Sequence, residues 1–226
     1  MPAGTRTPLS RDRIVDAAIA LADEKGVEGL TMRALGRALG VEAMSLYHHV
    51  PNRDDVLDGV VDRTYAEFYA PVVGGEWKDE LRRRSHSARE VLRRHPWVIP
   101  LLSSRGRPGH ATLSHLDAVL GVLAAAGFSL PMAAHAFALV DSHLYGFLVQ
   151  EVSLPLSPGQ GVQEIADGIA ETTDMAEHFP HLAELVAGHA LQPGYDFGDE
   201  FEYGLELVLD GLERDHLTGR SPGQQR

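Results

Sequence analysis

Between Thr31 and Arg53 the chain carries three arginines, Arg33, Arg37 and Arg53, against one carboxylate, Glu42. Tyr47, His48 and His49 lie among them. Guanidinium, phenol and imidazole donors of this kind fix a protein on the phosphates of a duplex without reading its sequence. Enclosed by the cations is Glu42-Ala43-Met44-Ser45-Leu46-Tyr47-His48-His49, which starts on small or polar residues. Ala43, Met44 and Ser45 have the size to reach base edges, and Ala43 and Met44 suit a thymine methyl. Leu46 and Val50 are expected to point back into a core. The chemistry this segment offers is non-covalent recognition of DNA. By spacing alone, a plain helical hairpin within a bundle competes with that reading.

The elements that must hold these residues follow from caps and breakers. Thr31 is placed to cap a short helix carrying Leu35, Ala38 and Leu39, and Gly40 stops it in a left-handed turn. A glycine inside a helix costs about 1 kcal/mol against alanine, so Gly36 implies close approach of a second helix. A third helix is expected over about 42–49, ended at Val50-Pro51 because the residue before proline avoids the α region. Short helix, tight turn and short helix make a helix-turn-helix, whose second helix enters the major groove. Ahead of it, Ser10 caps a helix with Ile14, Ala17, Ala18 and Leu21 on one face, ending near Gly26. Behind it, Asn52 caps a helix reaching about Phe68, with Asp54 and Asp55 in its first turn.

Pro71 and Gly74-Gly75 mark a linker. Beyond it, helices are expected over 81–94, 112–126, 131–150, 165–178, 181–189 and 198–216, with breaks at Pro96 and Pro100, a loop over 103–109 and a loop over 153–161. Strand alternation and Asn-Gly hairpins are absent from the sequence, so the fold class is all-α: an N-terminal three-helix helix-turn-helix domain and a larger helical domain. The expected boundaries are 1–51 for DNA binding, 52–70 for a connecting helix, and 71–226 for effector binding and dimerisation.

Composition narrows the function. The 226 residues include no cysteine, which removes disulfides, thiol chemistry and cysteine-bound zinc. The net charge is −12, and residues 1–65 account for only −2 of it, with 8 basic and 10 acidic residues. A DNA site on such a protein must be a local patch near the N-terminus. The most apolar stretch, 133–149, is interrupted by His135, Asp141, Ser142 and His143, so no membrane span and no membrane partner are expected. Met1–Asp12 lacks the apolar segment of a signal peptide, which favours the cytoplasm. Twelve histidines include the pairs His178/His181 and His110/His115 and the group His135, Asp141 and His143, but no i, i+4 pair of the HExxH kind. Structural roles are expected for them, with no metal and no cofactor. No phosphate loop or nucleophile elbow is present, and Ser103-Ser104-Arg105 near His110 is not enough for a serine site. No catalytic residue is assigned.

The residues also carry a resemblance. Ile14-Val15-Asp16-Ala17-Ala18, Gly29-Leu30-Thr31-Met32-Arg33-Ala34-Leu35, Leu39-Gly40-Val41 and Ser45-Leu46-Tyr47-His48-His49-Val50 resemble the DNA-binding domain of the TetR family of repressors. Leu57-Asp58, Trp77, Arg107-Pro108, Gly127-Phe128-Ser129-Leu130, Gly146, Tyr203-Gly204-Leu205-Glu206-Leu207 and Gly211-Leu212-Glu213 extend it to the tetracycline-repressor branch, over about residues 10–216. The resemblance implies a homodimeric repressor released from a palindromic operator by a small molecule. It implies DNA contacts from Thr31, Arg33, Arg37, Ala43, Met44, Ser45, Tyr47, His48, His49 and Arg53. An effector pocket is expected from Arg84, Trp97, Arg107, Leu116, Phe137, Asp141, His143 and Gln150. The dimer interface is expected on the stripe Phe201, Leu205, Val208 and Leu212. The branch's magnesium-linked residues are not matched, since the stretch 101–104 lacks the histidine and Gln150 stands where the glutamate is expected; in the drug pocket, Arg84 and Ala88 replace a polar asparagine and a phenylalanine. The alternative is a helical ligand-binding protein that does not touch DNA.

Overall fold

The computed structural model describes residues 8–104, 106–153 and 175–219. All regular structure among them is helical. They fall into two compact units, Met1–Gly127 and Phe128–Arg226.

In the first unit, α1 spans Arg11–Gly29 and is capped by the Ser10 hydroxyl, which accepts from the Arg13 N–H. The chain departs from helical geometry at Gly26 (φ 70°), the residue at which the sequence places the helix end, then completes one more turn. Thr31 Oγ1 accepts from the Ala34 N–H at 3.1 Å and opens α2, Met32–Leu39, which Gly40 closes at φ 67°. The third helix is shorter than the sequence implies. Only Ala43–Leu46 forms α3, because the N–H groups of Tyr47 and His49 reach back three residues, to Met44 and Leu46, as the chain tightens toward Val50-Pro51. Asn52 Oδ1 accepts from the Asp55 N–H at 2.8 Å and caps α4, Arg53–Glu67.

The next helix, α5, covers Trp77–Arg94, four residues longer than expected at its start, since the Glu76 carboxylate accepts from the Asp79 N–H and caps it there. The break expected at Pro96 is present, with α5 ended at Arg94, whereas Pro100 breaks nothing. Pro96 opens a 3₁₀ turn, Pro96–Val98, and Pro100 sits in the first turn of α6, Ile99–Ser104, where a proline lacks no needed donor. α7 runs His110–Ala125. Ile14, Leu35, Leu46, Val50, Val56, Val60, Leu81, Leu92 and Leu123 are buried and give α1 to α5 and α7 a continuous apolar core.

The second unit contains α8 (Leu130–Ser153), α9 (Met175–His178), α10 (Pro180–Leu185), a π-type turn (Val186–Ala190) and α11 (Asp199–Thr218). Asp141, Ser142 and His143 do not interrupt α8, whose 24 residues are long and apolar enough to cross a membrane by length and composition alone. α8 packs along α11. His143 fastens the pair: its Nε2 lies 3.0 Å from the Phe201 carbonyl, and its ring stacks on that of Phe201 at 5.2 Å. A Cβ on Gly204 would stand 2.4 Å from His143 Cε1, so this crossing requires glycine. The expected loop beyond residue 153, the helix over 165–174 and Arg105 of the Ser103-Ser104-Arg105 group lie outside the described residues.

Candidate functional site

The α2–α3 corner is built by two glycines with different tasks. Gly40 supplies the left-handed turn. Gly36 supplies clearance: a Cβ there would lie 3.0 Å from the Val41 carbonyl and 3.2 Å from the Ala43 N and Cα. Those neighbours are backbone and cannot swing aside. Gly36→Ala is therefore expected to destabilise the protein by about 1–3 kcal/mol despite alanine's helix preference, read as a lowered urea midpoint. A midpoint at or above wild type would show that the two helices need no such approach.

With the corner fixed, Leu46 and Val50 are fully buried and anchor α3 from below. Met44 projects outward, 72% exposed, with Ala43 and Ser45 half-buried beside it. Tyr47, His48 and His49 follow on the exposed turn. Arg33 and Arg37 are exposed on α2, and no ion pair among the described residues engages them. Thr31 is also exposed; its hydroxyl oxygen accepts from the Ala34 N–H as the α2 cap, which leaves the O–H available to donate.

Arg53 departs from the sequence expectation of a phosphate contact. Its Nε donates to the Leu30 carbonyl at 2.6 Å and its Nη2 to the Val27 carbonyl at 2.8 Å. Those carbonyls end α1, where a cation is favoured; the Val27 carbonyl also accepts from the Leu30 N–H at 3.2 Å. Arg53 ties α4 to α1 and sets the frame in which α2 and α3 sit.

Two further carboxylates tie these helices to the rest of the first unit, and local spacing signals neither. Asp62 on α4 accepts at one oxygen from both the Thr112 N–H (2.8 Å) and the Thr112 hydroxyl (3.0 Å), at the first turn of α7. Asp23 on α1 meets His95 Nδ1 at 2.7 Å and accepts from the Trp97 indole N–H at 2.8 Å. Trp97, expected to line a pocket, instead spends its polar edge on α1. Spacing cannot reveal such residues, because the partners are 50 and 74 positions away.

Between α5 and α7 lies a buried polar pair. Arg84, 1% exposed, donates from Nε to Nε2 of His115 at 3.1 Å. The imidazole, 3% exposed, rests against the rings of Tyr65 and Phe68. Burial first, and then the Arg84 guanidinium, push His115 down to about 4. One turn earlier Glu80 is buried on the same helix. It accepts from the Val72 N–H and the Tyr69 hydroxyl, both at 2.8 Å, and so straps the Tyr69–Val72 linker onto α5. The Val72 N–H, aided by Tyr69 and Arg83, holds Glu80 below its usual range against the effect of burial.

These shifts have a measurable sign. A histidine that is less basic folded than unfolded leaves the unfolded chain holding more protons, so stability falls as pH drops from 6.5 toward 4. The expected loss from His115 is on the order of 2–3 kcal/mol over that window. The Glu80 contribution is lost only at lower pH, below the ordinary carboxylate value. Urea melts of wild type and His115→Gln at pH 7.5, 6, 5 and 4.5 check this. Equal pH slopes for the two proteins would remove His115 as the source.

The remaining pocket candidates are dispersed. In the first unit Arg107 is exposed in the loop before α7, and Leu116 is half-buried on α7. In the second, Phe137 and Asp141 are half-buried on α8, Gln150 is exposed, and His143 is committed to Phe201.

The expected interface stripe is also redirected. Phe201 and Leu205 are fully buried within one chain and Leu212 is 3% exposed, so a partner cannot reach most of that face. Leu209, not Val208, completes the buried row. What stays open is the neighbouring stripe: Leu207 and Leu139, 57% and 51% exposed, with Val208, Gly211, Met132, His135, Ala138 and Asp215, lining an apolar groove of about 400 Å³ along α8 and α11.

Comparison with known proteins now decides the family. Residues 14–60 match the model of bacterial regulatory proteins of the tetR family, and residues 71–215 match the tetracyclin repressor-like C-terminal domain. The chain belongs to the TetR family. An HTH-type transcriptional regulator of Saccharopolyspora erythraea is 33% identical over 212 residues, covering 92% of this chain and 86% of that protein. The HTH-type transcriptional repressor DrrR1 of Streptomyces coeruleorubidus is 29% identical, covering 93% and 79%. Among solved structures, ActR of Streptomyces coelicolor in complex with actinorhodin superposes with a TM-score of 0.76 at 26% identity, covering 93% of this chain and 99% of that one.

Within this TetR-family chain, α2 and α3 carry the helix-turn-helix and the relatives are transcriptional regulators. The glycine-built corner and the exposed Met44 belong to the matched N-terminal segment, whereas Asp62, Glu80, Arg84 and His115 lie beyond it, on α4, α5 and α7.

Proposed function

We propose that this protein is a cytoplasmic, homodimeric TetR-type repressor that binds a palindromic operator and leaves it when a small molecule binds. Residues 1–51 serve DNA binding, 52–70 connect, and 71–226 receive the effector and dimerise. The observation that carries the reading is Met44, exposed at the start of a helix whose other face is locked into the core by Leu46 and Val50. Such a helix presents side chains to a major groove at no cost to the fold. Arg33 and Arg37, with Tyr47, His48 and His49, supply phosphate contacts, and Ala43, Met44 and Ser45 supply base contacts. ActR is a structural neighbour seen in complex with actinorhodin, which supports release by a small-molecule effector. The bond from Asp62 to the start of α7 gives a route by which movement of α7 tilts α4 and changes the separation of the two α3 helices. The ligand must favour the displaced state through its difference in affinity.

Arg33→Ala and Met44→Ala separate the two kinds of contact. Arg33→Ala is expected to weaken specific and non-specific binding alike and to flatten the salt dependence by about 0.9 log units per decade for each phosphate lost. Met44→Ala is expected to keep that slope and relax sequence preference by about 1 kcal/mol. Titrations of operator and random duplex across a salt series measure both. Two variants indistinguishable from wild type would favour a ligand-binding protein that does not engage DNA through α3.

A further inference from the structure

Glu42 is the one carboxylate between Thr31 and Arg53, and the DNA contacts assigned above leave it out. It stands directly before α3 and is exposed, with its carbonyl accepting from the Ser45 N–H at 2.9 Å. Its side chain caps nothing. Glu76, at the same position before α5, turns its carboxylate back onto the Asp79 N–H at 2.8 Å. Glu42 is not held in that way, and no hydrogen bond or ion pair among the described residues joins it to Arg33 or Arg37. A carboxylate left open on a face that must approach phosphates weakens binding to every duplex. That cost is offset only where the groove offers the carboxylate a hydrogen-bond donor.

We propose that Glu42 is a specificity-determining residue that accepts a hydrogen bond from the N4 amino group of a cytosine in each half-site. The assignment rests on the reading of α3 as the recognition helix and names one base that this helix selects. The first residues of a recognition helix are those that reach base edges. Glu42 is two residues before Met44, whose side chain is 72% exposed at the same end of α3. In the major groove cytosine shows an amino donor and no acceptor. Guanine N7 and O6 and thymine O4 are acceptors that repel a carboxylate, and adenine sets N7 beside its amino group. Cytosine alone therefore meets Glu42 with no opposing dipole, and a hydrogen bond to an ionised acceptor is of the stronger kind. The same charge acts against other sequences, because over a guanine or thymine edge it loses water and gains no donor. Glu42 thus lowers affinity for random DNA and recovers the loss at the operator.

The test uses the full chain. Wild type and Glu42→Ala each select duplexes from a random pool, and the symmetric position at which wild type takes cytosine and the variant takes any base locates the contact. There, in one half-site, cytosine is replaced by N4-methylcytosine, whose methyl group takes the place of the major-groove N–H while the pair with guanine is kept. Wild type should lose about tenfold in affinity, and Glu42→Ala should lose almost nothing. The variant should also bind a random duplex a few-fold more tightly, so its operator-to-random ratio shrinks from both sides. Glu42→Gln, which keeps the shape and adds donors, should accept adenine at that position. Identical base preferences for wild type and Glu42→Ala, or an equal response of the two proteins to N4-methylcytosine, would overturn the proposal while leaving the repressor reading intact. Failure of that reading has a different signature, a wild type that selects no symmetric site at all, and the assignment to Glu42 falls with it.

Discussion

Leu139→Glu combined with Leu207→Glu is expected to give a folded monomer that no longer holds an operator. Both side chains are more than half exposed in one chain and line the same apolar groove along α8 and α11. An exposed apolar stripe of this kind marks a partner surface, and a second copy offers the same stripe. Two carboxylates there are hydrated in the monomer and would be buried unpaired in the dimer. Helix content should persist while the elution volume on sizing moves to that of a monomer. Operator affinity should fall on the order of a hundredfold or more, because the second half-site loses its tethered reader. Leu205→Glu provides the contrast. It places a charge at a position with no exposure, and about 3–5 kcal/mol of stability should be lost along with the dimer. A double variant at 139 and 207 that elutes as wild-type dimer would move the interface off this groove.

Arg53→Ala is expected to damage the fold of the DNA-binding end instead of its charge. The side chain gives two hydrogen bonds from a cation to backbone carbonyls that close α1. Their loss removes the Leu30 carbonyl's side-chain partner and leaves the Val27 carbonyl only its bond from the Leu30 N–H, and should cost about 1–3 kcal/mol. Hydrogen exchange should rise across α1 to α4, and operator affinity should fall without a flatter salt slope. Arg53→Lys, a point charge without the planar fork, should recover only part of the stability. If Arg53→Ala keeps full stability and flattens the slope as Arg33→Ala does, then Arg53 contacts phosphate and the bonds to Val27 and Leu30 are incidental.

How far the sequence reached depended on the range of each interaction. Ser10, Thr31 and Asn52 cap within three residues of themselves, and Gly36 and Gly40 act across a single tight corner, Gly36 against Val41 and Ala43, so local spacing located them all. The length of α3 was less legible, since the tightening from Tyr47 to Pro51 resembles a continuing helix until backbone bonds are seen. On α11, Leu207, Val208 and Leu209 are consecutive and apolar. A stripe through 208 and one through 209 then fit the same pattern, and only packing against α8 separates core from open face. Arg53, Trp97, Asp62 and Glu80 were illegible as framework residues, because each finds its partner in a distant segment. A cation beside a recognition helix reads equally well as a phosphate contact and as a helix clamp.

The central claim is that α3 of a two-fold dimer reads DNA, and a footprint tests it most directly. Duplexes selected by the protein from a random pool, or the DNA upstream of its own gene, would be probed with wild type and with an Arg33→Ala, Met44→Ala double variant. The account predicts two inverted half-sites with centres about one helical turn, or 10–10.5 base pairs, apart or a multiple of that. Protection should be lost in the variant while its circular dichroism and dimer elution stay as in wild type. No symmetric protection, or protection unchanged when Arg33 and Met44 are removed, would contradict it.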